Sequence, residues 1–198
     1  MRRGGAASLA HRYCPLRMGT SEAERRSREL IDRLGLEVLP GESGRWTAIA
    51  RSSVQVELAG RQLPASNTIY YLLTPDRPVN LWHWLEGDDT QVLVEGGPVE
   101  YVIVPTAGLP QRFVLGRLED GHVPVVIAPG GSWKGLRLLE PDTYALMVST
   151  VTPAWTPGGM RIGMPDEVID QSVGLAPWLT RQVIEAFCDP SRRVDEND

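Results

Sequence analysis

The sequence has 198 residues, a length that suits one domain with a sizeable apolar core. Acidic residues outnumber basic residues by 25 to 20, which gives a net charge of −5, and no run of lysine or arginine is long enough to follow a phosphate backbone. We therefore expect no nucleic acid partner.

The two cysteines, Cys14 and Cys188, lie near opposite ends of the chain and belong to no CxxC or Cys/His pattern. This spacing indicates neither a zinc site nor a disulfide framework, and it favours a cytoplasmic location. The segment 1–17 lacks the apolar core of roughly 7 to 15 residues that a secretory signal needs. We predict a disordered leader over 1–17, with Met18 as an alternative start, and no membrane partner.

A helix is predicted over 21–34, at the start of a single domain that spans 18–188. Ser21 and Glu24 have the spacing of a capping box, and apolar residues recur on one helical face. Gly35 follows the last apolar position and is suited to the left-handed conformation that ends a helix.

From 46 to 164 the sequence changes to short runs rich in Val, Ile, Thr, Tyr and Trp, separated by Gly, Pro, Asn and Asp. Such spacing is typical of an antiparallel β-sandwich or barrel, so the predicted fold class is all-β. The predicted strands are 46–58, 67–74, 79–85, 90–95, 99–105, 111–116, 123–128, 132–139, 143–151 and 159–163.

A second helix is predicted over 176–188, where "APWLTRQVIEAF" places apolar residues on one face and a proline near the first turn. We expect it to pack on the outside of the sheet. The last segment, 189–198, is polar and charged without apolar periodicity, and we predict a disordered tail there.

Several motifs along the central region carry a family pattern. They are "LGL" at 34–36, "IYYLL" at 69–73, "WH" at 82–83, "GGP" at 96–98, "APGGSW" at 128–133 and "VTP" at 151–153. Together they resemble the cupin superfamily, and more closely its small bacterial and fungal branch described as a domain of unknown function. "LPGESGRW" at 39–46 is a degraded form of that branch's H-P-E-G-G segment. The resemblance implies a cupin jelly-roll β-barrel at 46–164 with helices outside it, assembled as a homodimer.

The metal motif of the wider superfamily has three histidines and one glutamate. When the motif is aligned with this sequence, its four ligand positions fall on His83, Leu85, Asp89 and Lys134. Two of the three histidines are thus replaced, by Leu85 and by Lys134, and the glutamate is replaced by Asp89. A leucine cannot bind a metal, and an ammonium at Lys134 repels a cation. We therefore expect no cofactor; the residues left to hold a weakly bound divalent metal are His83 and Asp89.

The same register places a candidate catalytic group inside the barrel: His83, Asp89 and Lys134, with Tyr71 as a proton donor. Imidazole suits proton transfer near neutral pH, and a neighbouring carboxylate can fix its tautomer and raise its pKa. Lys134, the single lysine, suits a base, an anion clamp or a Schiff-base nucleophile. The alternatives are that His83 is a structural core histidine and that Lys134 is a solvated lysine on a strand edge.

Five further residues are candidates for ligand binding. Gln91 is expected to face inward with Asp89, and Glu42 belongs to the 39–46 loop. The other three are aromatic: Tyr101, Tyr144 and Trp133. Alternation along a strand places Trp82 and Trp84 on the face opposite His83, where they pack between layers or at a dimer interface.

These residues give a first functional hypothesis: a metal-independent isomerase, epimerase, cyclase or lyase that acts on a small polar metabolite. In it His83 serves as acid and base, and Asp89 orients it. Two alternatives stay open. One is a non-catalytic cupin that binds a small molecule, and the other is a metal-dependent cupin enzyme with an irregular site.

Overall fold

A computed structural model describes residues 21–140 and 142–188. The predicted leader at 1–17, the alternative start at Met18 and the predicted tail at 189–198 lie outside the described residues. Among those that are described, no helix combines the length and the apolar character that crossing a bilayer requires.

Three helices flank the β-structure: α1 (Glu22–Leu34), α2 (Asp166–Ser172) and α3 (Arg181–Glu185). The strands are β1 (Glu37–Val38), β2 (Arg45–Arg51), β3 (Gln55–Leu58), β4 (Arg61–Pro64), β5 (Asn67–Leu73), β6 (Val79–Leu85), β7 (Asp88–Gly96), β8 (Val99–Val104), β9 (Gln111–Leu115), β10 (Val125–Ala128), β11 (Trp133–Leu138), β12 (Ala145–Thr152) and β13 (Met160–Ile162).

Most strands belong to two antiparallel sheets. One has the order β1-β2-β5-β12-β7-β10, and the other has the order β13-β6-β11-β8-β9. Sequence neighbours are often separated within a sheet, as a jelly roll requires, since its strands alternate between two layers. The predicted fold class, an all-β jelly roll with flanking helices, is confirmed.

Three apolar clusters hold the layers together. The largest lies between the sheets and takes side chains from both, among them Leu73, Ile103, Leu136 and Met147. A second cluster packs the outer face of the five-stranded sheet against the C-terminal helices, and a third packs the six-stranded sheet against α1. The residues of the largest cluster are therefore shielded from solvent by the two sheets.

Two sequence predictions need correction. The predicted strand 46–58 is broken after Arg51, and β3 instead forms a separate hairpin with β4, which was not predicted. Its two-residue turn has Ala59 at φ 49° and Gly60 at φ 76°, a type I′ geometry that usually carries Asn or Gly first. Alanine at that position concealed the turn.

The predicted helix 176–188 is shorter in the structure, because α3 begins only after Thr180. The Thr180 side chain accepts a hydrogen bond from the Val183 amide and so caps the helix there, as N-terminal threonines commonly do. The preceding helix, α2, was not predicted; at seven residues it is too short to show a clear apolar period.

Candidate functional site

A group of polar side chains lies between the two sheets, next to the loop of residues 39–44. We call it the inner cluster, and it consists of Glu42, Tyr71, Asn80, His83, Asp89, Gln91, Tyr101, Lys134 and Ser149. Every member is buried, and none is more than 8% exposed. Six strands and the loop before β2 contribute to it.

Strand pairing places the central members next to one another. On the five-stranded sheet, His83 in β6 lies directly opposite Lys134 in β11. On the facing sheet, Gln91 in β7 lies opposite Ser149 in β12. Because side chains alternate along a strand, Asp89 shares the inward face of Gln91.

A β-bulge in β6 adds Asn80 to this group. Lys134 pairs with His83 but Leu136 pairs with Asn80, so β6 has one more residue than β11 over this stretch. The extra residue shifts the alternation, and both polar side chains lie on the inner face. The sequence prediction missed Asn80 because regular alternation would place it on the face opposite His83.

The bulge also supplies two backbone hydrogen bonds to the cluster. The Leu81 amide donates to the carbonyl of Glu42 at 3.2 Å, which ties the 39–44 loop to β6. The Leu81 carbonyl lies 2.9 Å from Nδ1 of His83. A carbonyl only accepts, so Nδ1 carries the proton and Nε2 of the neutral ring has a free lone pair.

Asp89 and Lys134 form a buried ion pair. The Lys134 Nζ atom lies 2.9 Å from Oδ2 of Asp89, while the Ser149 hydroxyl donates to Oδ1 at 2.6 Å and the Gln91 amide donates to Oδ2 at 3.3 Å. Burial opposes ionisation of Asp89, but the ammonium and the Ser149 hydrogen bond outweigh it, so the pKa of Asp89 lies below its usual range.

Asp89 does not orient His83 as expected, although its charge does act to raise the pKa of His83. Burial and the Lys134 ammonium lower the pKa of His83 to about 3, against smaller opposing effects of the Leu81 hydrogen bond and of Asp89. The tautomer is fixed by the Leu81 carbonyl, and Asp89 accepts its hydrogen bonds from other residues. His83 is therefore neutral at physiological pH, and Nε2 is its unprotonated nitrogen.

Glu42 is the group of the cluster that titrates near neutrality. Burial raises its pKa to about 7, and this effect is only partly offset by the Lys134 ammonium and by a hydrogen bond from Asn80. The loop that holds Glu42 has Gly41, Ser43 and Gly44 at positive φ, and the Tyr71 hydroxyl donates to the Ser43 carbonyl at 3.1 Å. Any side chain at position 44 would collide with the Tyr71 hydroxyl.

Two predicted ligand-binding residues lie elsewhere. The Tyr144 hydroxyl donates to Glu95 at 2.6 Å on the outer face, where Arg26 of α1 binds the same carboxylate at 2.6 Å. Trp133 packs in the second apolar cluster, on the outer face of the five-stranded sheet, with Trp82 and α3. Trp133 points away from the inner cluster because its parity in β11 is opposite to that of Lys134, whereas Tyr144 lies just before β12 and is held outside by its bond to Glu95.

The four positions of the superfamily metal motif do not fit a metal. Leu85 offers no ligand atom, and the Lys134 ammonium occupies one side of the Asp89 carboxylate. Within residues 21–140 and 142–188, no three His, Cys, Asp or Glu side chains are grouped so as to hold a metal ion. A fixed internal cation thus lies where the motif has a histidine.

Comparisons with known proteins agree with this architecture. Residues 28–162 match the family model described as "Cupin superfamily (DUF985)". An uncharacterized protein of Saccharomyces cerevisiae is 34% identical over 94 residues, which span 46% of each chain; the match thus covers less than half of that relative.

Two solved structures share the fold at low sequence identity. A hypothetical protein from Leishmania major has a TM-score of 0.69 at 24% identity, over 79% of this chain and 97% of that one. A protein from Shewanella oneidensis also has a TM-score of 0.69, at 21% identity, over 83% of this chain and 98% of that one.

Proposed function

Because this chain belongs to the DUF985 family of the cupin superfamily, we propose that the inner cluster is a site of metal-independent proton transfer. The reaction is of the isomerase, epimerase, cyclase or lyase kind, and its substrate is a small polar metabolite. The supporting observation is that Glu42, a buried carboxyl with a pKa of about 7, shares the inner cluster with a neutral imidazole and a buried ion pair.

Glu42 is the proton carrier of this proposal. A general base is most effective when its pKa lies near the working pH, because it is then both available and strong enough. The Glu42 carboxylate removes a proton from a carbon next to a substrate carbonyl. The C–H electron pair becomes the new carbon–carbon π bond, and the carbonyl oxygen takes the negative charge. Glu42 then returns the proton to the same carbon or its neighbour.

The other members of the cluster stabilise the charge that develops. The Tyr101 hydroxyl is fully buried, and burial raises its pKa well above the usual value, so it remains a hydrogen-bond donor. The Lys134 ammonium is held in place by Asp89, and fixed donors of this kind stabilise an oxyanion without reorganising. His83 accepts a substrate hydroxyl through Nε2.

Access to the cluster depends on the loop of residues 39–44. Glu42 is 8% exposed, whereas His83, Asp89 and Lys134 are each 1 to 2% exposed. Glu42 therefore lies at the outermost level of the cluster, and substrate entry requires movement of its loop. Loops that open and reclose in this way also exclude water during the reaction.

Exchange of carbon-bound hydrogen in D₂O tests this function. The protein is incubated with small hydroxy ketones, 2-hydroxy acids, 2-oxo acids and amino acids, and loss of C–H signals is followed by ¹H NMR. We expect the wild-type protein to exchange at least one class, and Glu42→Gln to lose about 100-fold or more of the rate. The matched control, Glu57→Gln, alters an exposed carboxylate on β3 and should keep the full rate.

His83 is tested with His83→Asn, which retains a donor for the Leu81 carbonyl but lacks Nε2. We expect a clear loss of exchange with a melting temperature close to that of the wild type. Full activity in Glu42→Gln, or no exchange with any compound, overturns the proposed function. Unfolding of His83→Asn would instead assign His83 a structural role.

A further inference from the structure

Three buried polar atoms of the inner cluster have no hydrogen-bond partner in the described part of the chain. They are Oδ1 of Asn80, Oε1 of Gln91 and the Tyr101 hydroxyl, and their residues are only 0 to 3% exposed. Leaving a buried polar group unpaired costs about 1 to 3 kcal/mol. These three groups in one cluster call for partners that the described residues do not supply, and a ligand can supply them.

The hydrogen bonds that are present fix what each free atom can do. The Gln91 amide nitrogen donates to Asp89 and the Asn80 side chain hydrogen-bonds to Glu42. Carboxylates accept, so both amide nitrogens face a carboxylate and both amide oxygens remain as free acceptors. His83 adds a third acceptor at Nε2, because its Nδ1 proton faces the Leu81 carbonyl.

Charge also restricts the ligand. Lys134 is the single cation of the inner cluster, and the Asp89 carboxylate pairs with it at 2.9 Å. Glu42 adds a partial negative charge near neutral pH. A ligand that is already anionic would therefore meet only a cation whose charge Asp89 neutralises, and Glu42 would repel it; this differs from the partial charge that develops on a carbonyl oxygen during the reaction.

Resting on the proposed function, we propose that the substrate is an uncharged hydroxy-carbonyl compound. Its hydroxyl groups donate to Asn80 Oδ1, Gln91 Oε1 and His83 Nε2, and its carbonyl oxygen accepts from the Tyr101 hydroxyl. This arrangement gives a partner to each of the three unpaired atoms and to Nε2 of His83. The substrate carbonyl then lies at the Tyr101 hydroxyl, which is an uncharged donor. Asn80, Gln91 and Tyr101 are then the residues that determine specificity.

Calorimetric titration with defined probes tests the substrate class. The hydroxy-carbonyl probes are dihydroxyacetone, glyceraldehyde and erythrulose; glycerate is the matched anion and acetone is the matched carbonyl without hydroxyls. We expect at least one hydroxy-carbonyl probe to bind, and glycerate and acetone to bind more than tenfold more weakly. Preference for glycerate, equal binding of acetone, or no binding of any hydroxy-carbonyl probe overturns the proposal.

A pair of tyrosine variants shows whether the free hydroxyl is used. Tyr101→Phe removes a group without a protein partner, so we expect an unchanged or higher melting temperature and about tenfold weaker probe binding. The control, Tyr144→Phe, removes a hydroxyl bonded to Glu95 outside the cluster and should leave binding unchanged. Equal affinity in Tyr101→Phe and wild type overturns the role assigned to Tyr101.

The two proposals fail separately. Binding of a hydroxy-carbonyl probe without hydrogen exchange supports the substrate class and removes the catalytic function. Exchange with only anionic substrates supports the catalytic function and removes the substrate class.

Discussion

The ammonium of Lys134 lies 2.9 Å from Oδ2 of Asp89, and both side chains are only 2% exposed. Removing one partner of such a pair strongly lowers the free energy of unfolding, because the other charge then stays buried without its counterion. The pair also affects the titration of its neighbours: burial and the ammonium together lower the pKa of His83, while the ammonium outweighs the effect of burial and lowers the pKa of Asp89.

The first prediction concerns the energy of this pair. Lys134→Met should lower the free energy of unfolding by about 3 to 5 kcal/mol, measured by urea denaturation at pH 7. Adding Asp89→Leu should recover part of that loss, because no unpaired charge then remains. The control is Arg61→Met, which breaks the more exposed pair with Glu86 and should cost less than about 1 kcal/mol. Similar losses in the two single variants would contradict this account.

The second prediction concerns the pH dependence that Glu42 confers. Its pKa is raised from 4.5 to about 7 in the folded protein, so the folded state binds more protons than the unfolded state between these values. The contribution to stability is present below pH 4.5 and is lost as the pH rises through 7. The pKa difference corresponds to roughly 3 kcal/mol.

Glu42→Gln isolates this effect. The quantity measured is the free energy of unfolding of the wild type minus that of the variant, from urea denaturation at each pH. We expect this difference to fall by roughly 3 kcal/mol between pH 4.5 and 8. The subtraction matters because His83, whose pKa is lowered to about 3, changes stability in the opposite direction below pH 6.5. A difference that stays constant across this range would show that Glu42 is not buried in a protonated form.

The third prediction concerns the protonation state of His83. ¹⁵N NMR of the imidazole should show a protonated Nδ1 and an unprotonated Nε2, without titration above about pH 4. The reasons are the hydrogen bond to the Leu81 carbonyl and the lowered pKa. His122 provides an internal comparison, identified by its loss in His122→Gln. A His83 midpoint near 6.5, or a proton on Nε2, would refute this assignment.

The fourth prediction concerns the contact between the five-stranded sheet and the C-terminal segment. A Cβ atom at Gly135 would lie 2.9 Å from the Phe187 ring, and Phe187 is fully buried. Gly135→Ala should therefore cost about 1 to 3 kcal/mol, measured by thermal or urea denaturation. A methyl group at Gly158 would meet no atom within 4 Å, so Gly158→Ala should be close to neutral. Equal stability of the two variants would mean that the Phe187 ring moves aside for the methyl group without measurable cost.

The fold could be predicted because its signals are local and repeated. Strand runs bounded by glycine and proline indicate the β-structure, and the Ser21 and Glu24 capping box is present at the start of α1. The hairpin β3–β4 could not be predicted, because Ala59 occupies a position where left-handed backbone is rare for alanine. The boundary of α3 depends on the Thr180 cap, which lies within an otherwise continuous apolar pattern.

The candidate site was accessible to sequence reasoning in part. The resemblance to the superfamily motif places His83, Asp89 and Lys134 inside the barrel, and alternation adds Gln91 to the face of Asp89. Ser149 was not predicted; it lies beside Gln91 through the pairing of β12 with β7. The pKa of His83 could not be inferred, because it depends on burial and on which partner Asp89 binds. The bulge that brings in Asn80 has no sequence signal of its own.

That bulge limits how the site can be moved to another protein. Between the pairs Lys134–His83 and Leu136–Asn80, β6 has one more residue than β11. This single extra residue determines both the inward direction of the Asn80 and His83 side chains and the two hydrogen bonds of the Leu81 backbone. An engineer who grafts these side chains onto a jelly roll with a regular β6 would obtain either Asn80 or His83 inside, but not both. The transferable unit is the irregular strand pair, together with the loop that it anchors.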